Sequence, residues 1–278
     1  FYPSERGQYN FDVGSNFSAG LNPDGTLAAP STRWGGIMRK IETTDFASSN
    51  VQFIQFWVMD PFNEDADANL QGGDLYFNLG NVSEDILKDS RKAFENGLPT
   101  SANVINVDTT VWGRVPNVQT VVNAFDNDPD ARKFQDVGLD GLSDDDEKTF
   151  FPPPYSSYDD PAADDYHFYR GDDYDQLQLS ILERYKNYNG MEGNSPAGTD
   201  GSYSTSNTTM PDIEDINQNN SLDTRESYFQ YKVSIRPQDM VAGKNYITNV
   251  LNTTVKTPDG RTRNIKWYQF KIPIEKPD

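Results

Sequence analysis

The sequence predicts a mainly β protein: a jelly-roll-like antiparallel sandwich with a long acidic, partly helical insertion. Segments that alternate apolar and polar residues occur near both ends of the chain, and this period of two is typical of strands with one buried face. The 15 tyrosines, 16 phenylalanines and 17 prolines favour strands with long loops over a helical bundle. We assign residues 1–82 to the N-terminal strands, 83–211 to the insertion, and 212–278 to a polar loop and the C-terminal strands of the same sandwich.

Turn signals dominate the chain up to residue 34, and two strands are predicted after them. A short strand is expected at 36–43. Residues 51–58 form the densest apolar run of the chain, which predicts a strand buried on both faces. Asp60-Pro61 ends this strand, because proline cannot donate to a β-ladder and restricts the residue before it.

One further strand and two helices are predicted next. Residues 75–79 alternate apolar and polar side chains, as in a strand with one buried face. A helix is predicted at 83–96, where Ser83 is a favourable N-cap and apolar residues recur at helical spacing. Helical spacing also predicts a helix at 117–125.

Residues 126–175 carry most of the negative charge. Sixteen acidic side chains stand against four basic ones in this window, and such a run is often simply a solvated, extended loop. Helical spacing returns at 173–188. The stretch 191–211 is rich in glycine, serine, threonine and asparagine, which predicts a long mobile loop.

The C-terminal part alternates apolar and polar residues again. The clearest predicted strands are 229–235 and 268–274, with shorter strands at 246–250 and 253–256. The sequence Thr-Pro-Asp-Gly at 257–260 predicts a turn.

Composition excludes several classes of function. The 24 basic and 43 acidic residues give a net charge of −19, which argues against nucleic acid as a partner because phosphate binding needs clustered lysine and arginine. The absence of cysteine removes disulfides, thiolate metal sites and cysteine nucleophiles. No apolar run has the length of a membrane helix. The chain opens without methionine or a signal peptide, and we expect a fragment or a processed product.

The strongest candidate site is a calcium loop at 215–226. Calcium takes six to eight oxygen ligands, and a twelve-position loop supplies them from alternate residues. Here position six is Asn220 instead of the usual glycine, but asparagine tolerates the left-handed conformation. A plain asparagine-rich turn is the alternative. The proposed ligands are Asp215, Asn217, Asn219, Ser221 (through its carbonyl), Asp223 and Glu226.

A weaker calcium loop is predicted at 136–147. It has acidic residues at positions 1, 5, 9 and 12 and glycine at position 6, but Gly138 at position 3 offers no side-chain oxygen. A solvated acidic loop explains the pattern equally well. The proposed ligands are Asp136, Asp140, Leu142 (through its carbonyl), Asp144 and Glu147.

The sequence offers little support for catalysis, and we predict that the protein is not an enzyme. His167 is the only histidine, and the chain has no nucleophile elbow, Ser/His pair or phosphate-binding loop. Two carboxylates could serve a glycosidase, but no pair stands out among 43 acidic residues.

Several long motifs resemble one family along essentially the whole chain. They include YPSERGQYNFD, RWGGIMR, FWVMDPF, GGDLYFNLGNVSEDILKD, VWGRVP, QDVGLDGL and YKNYNGMEGNSP. They are similar to the SprA (Sov) family, the outer-membrane translocon of the Bacteroidetes type IX secretion system, which is also a gliding-motility protein. The resemblance implies a soluble insertion, or a fragment, of a much larger membrane barrel.

The resemblance also implies a function and its partners. We expect a non-catalytic structural and interaction domain that supports protein export, with other translocon subunits and folded cargo proteins as partners. Membrane association would come from the parent barrel, and we expect the segment on the extracellular side of the outer membrane. The alternative is a calcium-dependent carbohydrate-binding module or glycosidase, for which Trp34, Trp112 and Trp267 would be the sugar-stacking candidates.

Overall fold

The computed structural model shows a mainly β chain with antiparallel sheets, as predicted. It describes residues 2, 4–7, 18–63, 70–118, 124–195, 208–257 and 260–274. The chain forms two compact units. The first contains Phe1–Arg39, Ser83–Gly171 and Arg184–Thr224, and the second contains Lys40–Val82, Asp172–Glu183 and Arg225–Asp278. The predicted segment boundaries and the jelly-roll connectivity stay predictions.

The described residues contain strands of three to twelve residues and short helices. The strands are β1 (Phe53–Met59), β2 (Gly73–Asn81), β3 (Val107–Thr109), β4 (Arg114–Pro116), β5 (Ser227–Ile235), β6 (Ile247–Lys256) and β7 (Thr262–Pro273). The α-helices are α1 (Pro129–Arg132), α2 (Asp144–Phe150), α3 (Asp172–Gln176) and α4 (Ile181–Arg184). Short 3-10 helices cover Pro30–Thr32, Glu95–Gly97, Tyr155–Ser157 and Pro237–Asp239. Strands β2, β5 and β7 confirm three predicted strands, and β6 joins the two shorter ones predicted before the turn at 257–260.

Two antiparallel sheets with a common apolar core form the second unit. One sheet has the strand order β1-β7-β6, and the other pairs β2 with β5. Phe270 of β7 is fully buried in a cluster that includes side chains from both sheets. Its ring stacks on that of Phe56 in β1, with 5.0 Å between the centroids. The Phe56 ring also lies 4.8 Å from that of Phe77 in β2. The two sheets therefore pack face to face as a small sandwich.

Strand β1 has only one buried face, so the prediction of burial on both faces is wrong. Phe56 points into the core, whereas Phe53 and Trp57 are 42% and 41% exposed. An apolar run does not reveal whether a layer packs on each side of a strand, and among the described residues one layer covers β1. The Lys271 ammonium lies 4.0 Å from the centre of the Phe53 ring, which gives the outer face a cation–π contact.

Asp74 of β2 forms ion pairs with two basic residues in and just after β5. These pairs should make the stability of the sheet depend on pH. The Asp74 carboxylate accepts a hydrogen bond from Arg236 and pairs with Lys232 at 2.9 Å. The Arg236 hydrogen bond, followed by that of Lys232, lowers the pKa of Asp74 to about 2.

A lowered pKa in the folded state stabilises the protein above the ordinary pKa of aspartate, and this contribution disappears as the pH falls towards 2. Asp74→Asn should therefore lower the urea midpoint at pH 6. The difference from the wild type should shrink between pH 4 and pH 2. A difference that stays constant down to pH 2 would contradict this role for Asp74.

A short hairpin in the first unit positions the turn that precedes α2. Strands β3 and β4 pair antiparallel, and the Arg114 N–H donates to the Asp140 carbonyl at 2.6 Å. Gly113 has a φ of 144°, and a Cβ at this residue would lie 2.0 Å from the Asp140 carbonyl oxygen. Only glycine permits this close approach of the two backbones. The hairpin thereby fixes Asp140.

No α-helix forms at 83–96, and this prediction is wrong. One buried carboxylate, that of Glu214, organises the segment instead. It accepts backbone N–H groups at 2.8–3.3 Å from Ile86, Leu87 and Ala93. These bonds hold the backbone in a non-helical turn. Helical spacing of apolar residues cannot anticipate a carboxylate that lies more than 120 positions away in the sequence.

Two other predicted elements differ from the structure. The predicted helix at 173–188 is divided into α3 and α4, and Gln178 between them has a φ of 54°, which a helix cannot accommodate. The predicted strand at 36–43 does not form. Its side chains are largely exposed and include the apolar Ile37 and Ile41.

Parts of three predicted elements lie outside the described residues. These parts are residues 119–123 of the predicted helix at 117–125, residues 196–207 of the predicted loop at 191–211, and residues 258–259 of the predicted turn at 257–260. Every helix in the described part of the chain is too short or too polar to cross a lipid bilayer.

Candidate metal centre

The predicted calcium loop at 215–226 winds around the side-chain oxygens of its own residues. The buried Asp215 carboxylate accepts the N–H groups of Asn219 at 3.1 Å and Asn220 at 2.7 Å. Asn220 stands at the position where glycine is usual, and its φ is 64°. Asparagine therefore adopts the left-handed conformation expected from the sequence.

The side chains of Asn217, Asn219 and Asp223 also make hydrogen bonds within this loop. The Asn217 side-chain oxygen accepts the Asn219 N–H at 3.0 Å, and the Asn219 side-chain oxygen accepts the Ser221 N–H at 2.7 Å. The side-chain amides of both asparagines donate to Asp223 Oδ2 at 2.9 Å. The loop therefore satisfies many of its oxygens with its own N–H donors.

Two residues from the 84–92 segment complete the surroundings of this loop. Glu84 accepts the N–H groups of Asn217 at 3.2 Å and Asp223 at 3.1 Å. The Lys92 ammonium lies 3.4 Å from Asp215 Oδ2, and both side chains are buried. A buried pair of this kind neutralises the charge of Asp215. Glu84 and Lys92 both lie within the helix predicted at 83–96, and the sequence did not connect either of them to this loop.

The last predicted ligand of this loop, Glu226, is exposed directly before β5. It belongs to the second unit, whereas the other five predicted ligands belong to the first. Calcium binding at 215–226 stays a prediction.

A denser group of carboxylates forms in the first unit, where three stretches of chain meet. The first stretch is residues 140–147, which comprise the turn before α2 and the first half of that helix. The other two are residues 160–165 and the segment around Glu192. A parallel β-bridge joins Glu192 to Asp165, and an antiparallel bridge joins it to Val137. We call this group the acidic cluster. Its members are Asp140, Asp144, Glu147, Asp160, Asp164, Asp165 and Glu192.

The acidic cluster contains three overlapping sets of three carboxylates. Within each set, one oxygen of every member lies within 4.8 Å of the others. The inner set is fully buried, and the outer set is half-buried. The inner set is Asp140, Glu147 and Asp164; the outer set is Asp144, Asp165 and Glu192; the linking set is Asp144, Glu147 and Asp160.

The carboxylates of the inner set are only partly satisfied by protein donors. Asp140 Oδ1 accepts the Leu142 N–H, and Glu147 Oε2 accepts the Ala162 N–H, both at 3.0 Å. The second oxygen of each is buried and meets no donor in the described part of the chain. One oxygen of Asp164 is likewise buried and without a donor there. Asp140 and Glu147 lie close enough to share a proton, so a proton or a cation between them would relieve their repulsion.

Burial makes the ionised forms of these groups costly. It is the main cause that raises the pKa of Glu147 to about 7 and that of Glu192 to about 9. Burial, followed by repulsion from neighbouring carboxylates, raises the pKa values of Asp140 and Asp164 well above the ordinary range of aspartate. The protein thus holds these side chains where an isolated negative charge is unfavourable.

The acidic cluster includes some members of the weaker predicted loop at 136–147 and leaves others out. Asp140, Asp144 and Glu147 converge in it. Asp136 turns elsewhere, and its carboxylate accepts the N–H groups of Asn194 at 3.2 Å and Ser195 at 3.0 Å. Leu142 donates its N–H to Asp140 and buries its side chain in an apolar cluster.

Comparison with known families supplies the functional context. Residues 154–278 match the family model SprA_N, which is described as a motility related/secretion protein. This segment belongs to the SprA family. Its function is therefore related to motility and secretion, as the sequence motifs indicated. No curated protein matches the chain.

The SprA-family segment includes the four members of the acidic cluster that sequence reasoning missed. Asp160, Asp164, Asp165 and Glu192 fall inside the matched residues, together with the loop at 215–226. The acidic run at 126–175 contains the three aspartates, but no spacing rule connects them to Glu147. Glu192 lies outside that run and gave no signal in the sequence.

Proposed function

We propose that the chain is a non-catalytic structural and interaction domain of the outer-membrane type IX protein secretion translocon, where it supports protein export and gliding motility. The observation that carries this proposal is the match of residues 154–278 to the SprA family. Motifs before residue 154, such as RWGGIMR and FWVMDPF, support the same assignment for the N-terminal half.

The proposed partners are other translocon subunits and folded cargo proteins. We place the domain on the extracellular side of the outer membrane, with membrane association provided by the rest of the parent protein. The net charge of −19 supports an exposed position, because a strongly acidic surface favours solubility and attracts cations.

Calcium is the proposed cofactor of this domain. The oxygen-rich turn at 215–226, with its left-handed Asn220, supports a site there, and the acidic cluster supports a second region of binding. An ion bound at either place would stabilise the folded domain, because it binds the folded form in preference to the unfolded one.

Affinity capture tests the proposed interactions. The tagged chain is incubated with detergent-solubilised envelope and with secreted proteins of a bacterium that has a type IX system. Captured proteins are then identified by mass spectrometry. We expect enrichment of translocon subunits, of cargo proteins with the C-terminal secretion signal, or of both. A Phe270→Ala variant, in which the sandwich core is disrupted, is the control for binding that needs the folded domain.

The carbohydrate alternative predicts a different outcome. Trp34 is exposed in the first unit, and a sugar-binding role would give glycan-array signals that disappear in Trp34→Ala. Glycan binding of this kind, without enrichment of any translocon subunit or cargo protein, would overturn the proposed function.

A further inference from the structure

We propose that the acidic cluster is a calcium centre with two ion positions. The inner position is formed by Asp140, Glu147 and Asp164, and the outer position by Asp144, Asp165 and Glu192. Asp160 and the shared carboxylates Asp144 and Glu147 connect the two positions. This site shares Asp140, Asp144 and Glu147 with the predicted loop at 136–147 but takes its other ligands from residues 160–165 and from Glu192. It deepens the calcium proposal made above by naming the ligands, and it does not depend on the proposed role in secretion.

The unsatisfied oxygens are the first argument for a bound cation. Asp140, Glu147 and Asp164 are each more than nine-tenths buried, and each has an oxygen without a donor in the described part of the chain. The outer set shows the same feature at Asp144 and Glu192. Buried carboxylate oxygens without partners are costly. Their convergence at 4.8 Å or less places them where one shared cation can satisfy them together.

The basic side chains near the cluster do not supply donors to its unsatisfied carboxylate oxygens. The Arg6 guanidinium donates to the backbone carbonyls of Asp160 and Pro161 and not to a carboxylate of the cluster. The Lys148 ammonium lies 4.0 Å from Asp145, a solvent-exposed residue outside the cluster. Neither of these two basic side chains therefore donates to a carboxylate of the cluster.

The ligand chemistry favours calcium. All seven candidate ligands are carboxylates, and the described cluster contains no histidine or cysteine, so a soft or borderline metal has no preferred ligand. Calcium accepts six to eight oxygens in flexible geometry, with carbonyls and water completing the shell. Magnesium requires near-ideal octahedral geometry and usually keeps several waters, which suits a cluster of converging carboxylates less well.

The loop at 215–226 shows the contrasting situation. Its aspartate has a buried lysine beside it, and most of its side-chain oxygens accept N–H groups. The loop at 215–226 has the better sequence motif, yet without an ion its side-chain oxygens have more hydrogen-bond donors than those of the acidic cluster. The two sites can be distinguished by substituting each one separately.

The first experiment needs no variant. Thermal unfolding of the full chain is followed in EDTA, in calcium and in magnesium. We expect the midpoint to rise by about 5–10 °C at a calcium concentration near one hundred times Kd, with a much smaller rise in magnesium. Terbium, a luminescent substitute for calcium, should bind and be sensitised by nearby aromatic residues such as Tyr166. Excess calcium should displace it.

Paired substitutions then locate the ions. Glu147→Gln with Asp164→Asn removes the inner position, and Asp165→Asn with Glu192→Gln removes the outer one. Asp215→Ala with Glu226→Ala removes the predicted loop. Asp145→Asn with Asp159→Asn is the charge-matched control, because both residues are exposed and belong to none of the three sets.

Whether the inner variant is more or less stable than the wild type should depend on calcium. Without calcium it should unfold at a higher temperature than the wild type, because the amides relieve repulsion between buried carboxylates. With calcium it should lose the wild-type rise in midpoint and at least one ion per chain in calorimetry. The outer variant should lose the other ion, and the charge-matched control should behave as the wild type.

Three results would overturn the proposal. The first is an absence of calcium and terbium binding by the wild type. The second is unchanged ion number and unchanged stabilisation in both cluster variants. The third is loss of all calcium binding in the variant of the 215–226 loop alone, which would assign the ion to that loop.

Discussion

Replacing Phe270 with alanine should lower the free energy of unfolding of the second unit by about 3–5 kcal/mol. Phe270 is fully buried at the centre of the sandwich, and its ring stacks on that of Phe56. The substitution removes this contact and leaves a cavity between two sheets that cannot collapse fully. Urea unfolding followed by circular dichroism measures the change.

Phe229→Ala is the matched control for this effect. Phe229 belongs to the same sandwich but is 56% exposed near the start of β5. We expect a loss within about 0.5 kcal/mol, as for most surface substitutions. Similar losses for the two variants would mean that the two-sheet core does not determine the stability of this unit.

Substitution of Glu214 should destabilise the first unit, and the loss should be larger for alanine than for glutamine. Glu214→Gln should cost about 2 kcal/mol, because the amide NH₂ then faces one of the three backbone N–H groups that the carboxylate accepts. Glu214→Ala should cost about 3 kcal/mol, because three N–H groups lose their acceptor and the Ala93 N–H is buried. Chemical unfolding gives both values.

Hydrogen exchange of the three amides adds a local measurement. The N–H groups of Ile86, Leu87 and Ala93 should exchange faster in Glu214→Ala than in the wild type, beyond the change expected from global stability. Glu42→Gln, at an exposed position, should change neither quantity. Unaltered exchange of these amides would show that Glu214 does not hold the 86–93 turn.

The sequence predicted the strands of the sandwich better than any other feature. Alternation along β2, β5 and β7 reflects a buried and an open face, and that pattern is local. The helix predictions failed where distant residues decided the backbone, as Glu214 does for the segment at 83–96. The apolar run of β1 indicated a strand correctly but could not show that one of its faces remains open.

For the candidate site too, local features could be predicted from the sequence, whereas contacts between distant residues could not. The spacing at 215–226 predicted a turn with a left-handed Asn220, and the turn forms. The spacing at 136–147 indicated three of the seven carboxylates of the acidic cluster. Asp164 and Glu192 join them only through the path of the chain between residues 160 and 192. No local pattern records this path, and none records that Lys92 stands beside Asp215.

The pairing of β1 with β7 determines when the sandwich can form during synthesis. Met59 pairs with Trp267 and Phe53 with Pro273, so the partners are 208 to 220 positions apart. Closing so long an intervening segment costs little extra stability, but pairing over such distances slows folding. A chain that emerges from its N-terminus must keep the aromatic residues of β1 without their partner strand until almost all of it is available. Such exposed strands are prone to aggregate, so β1 needs β7 for its protection during folding as well as for the final core.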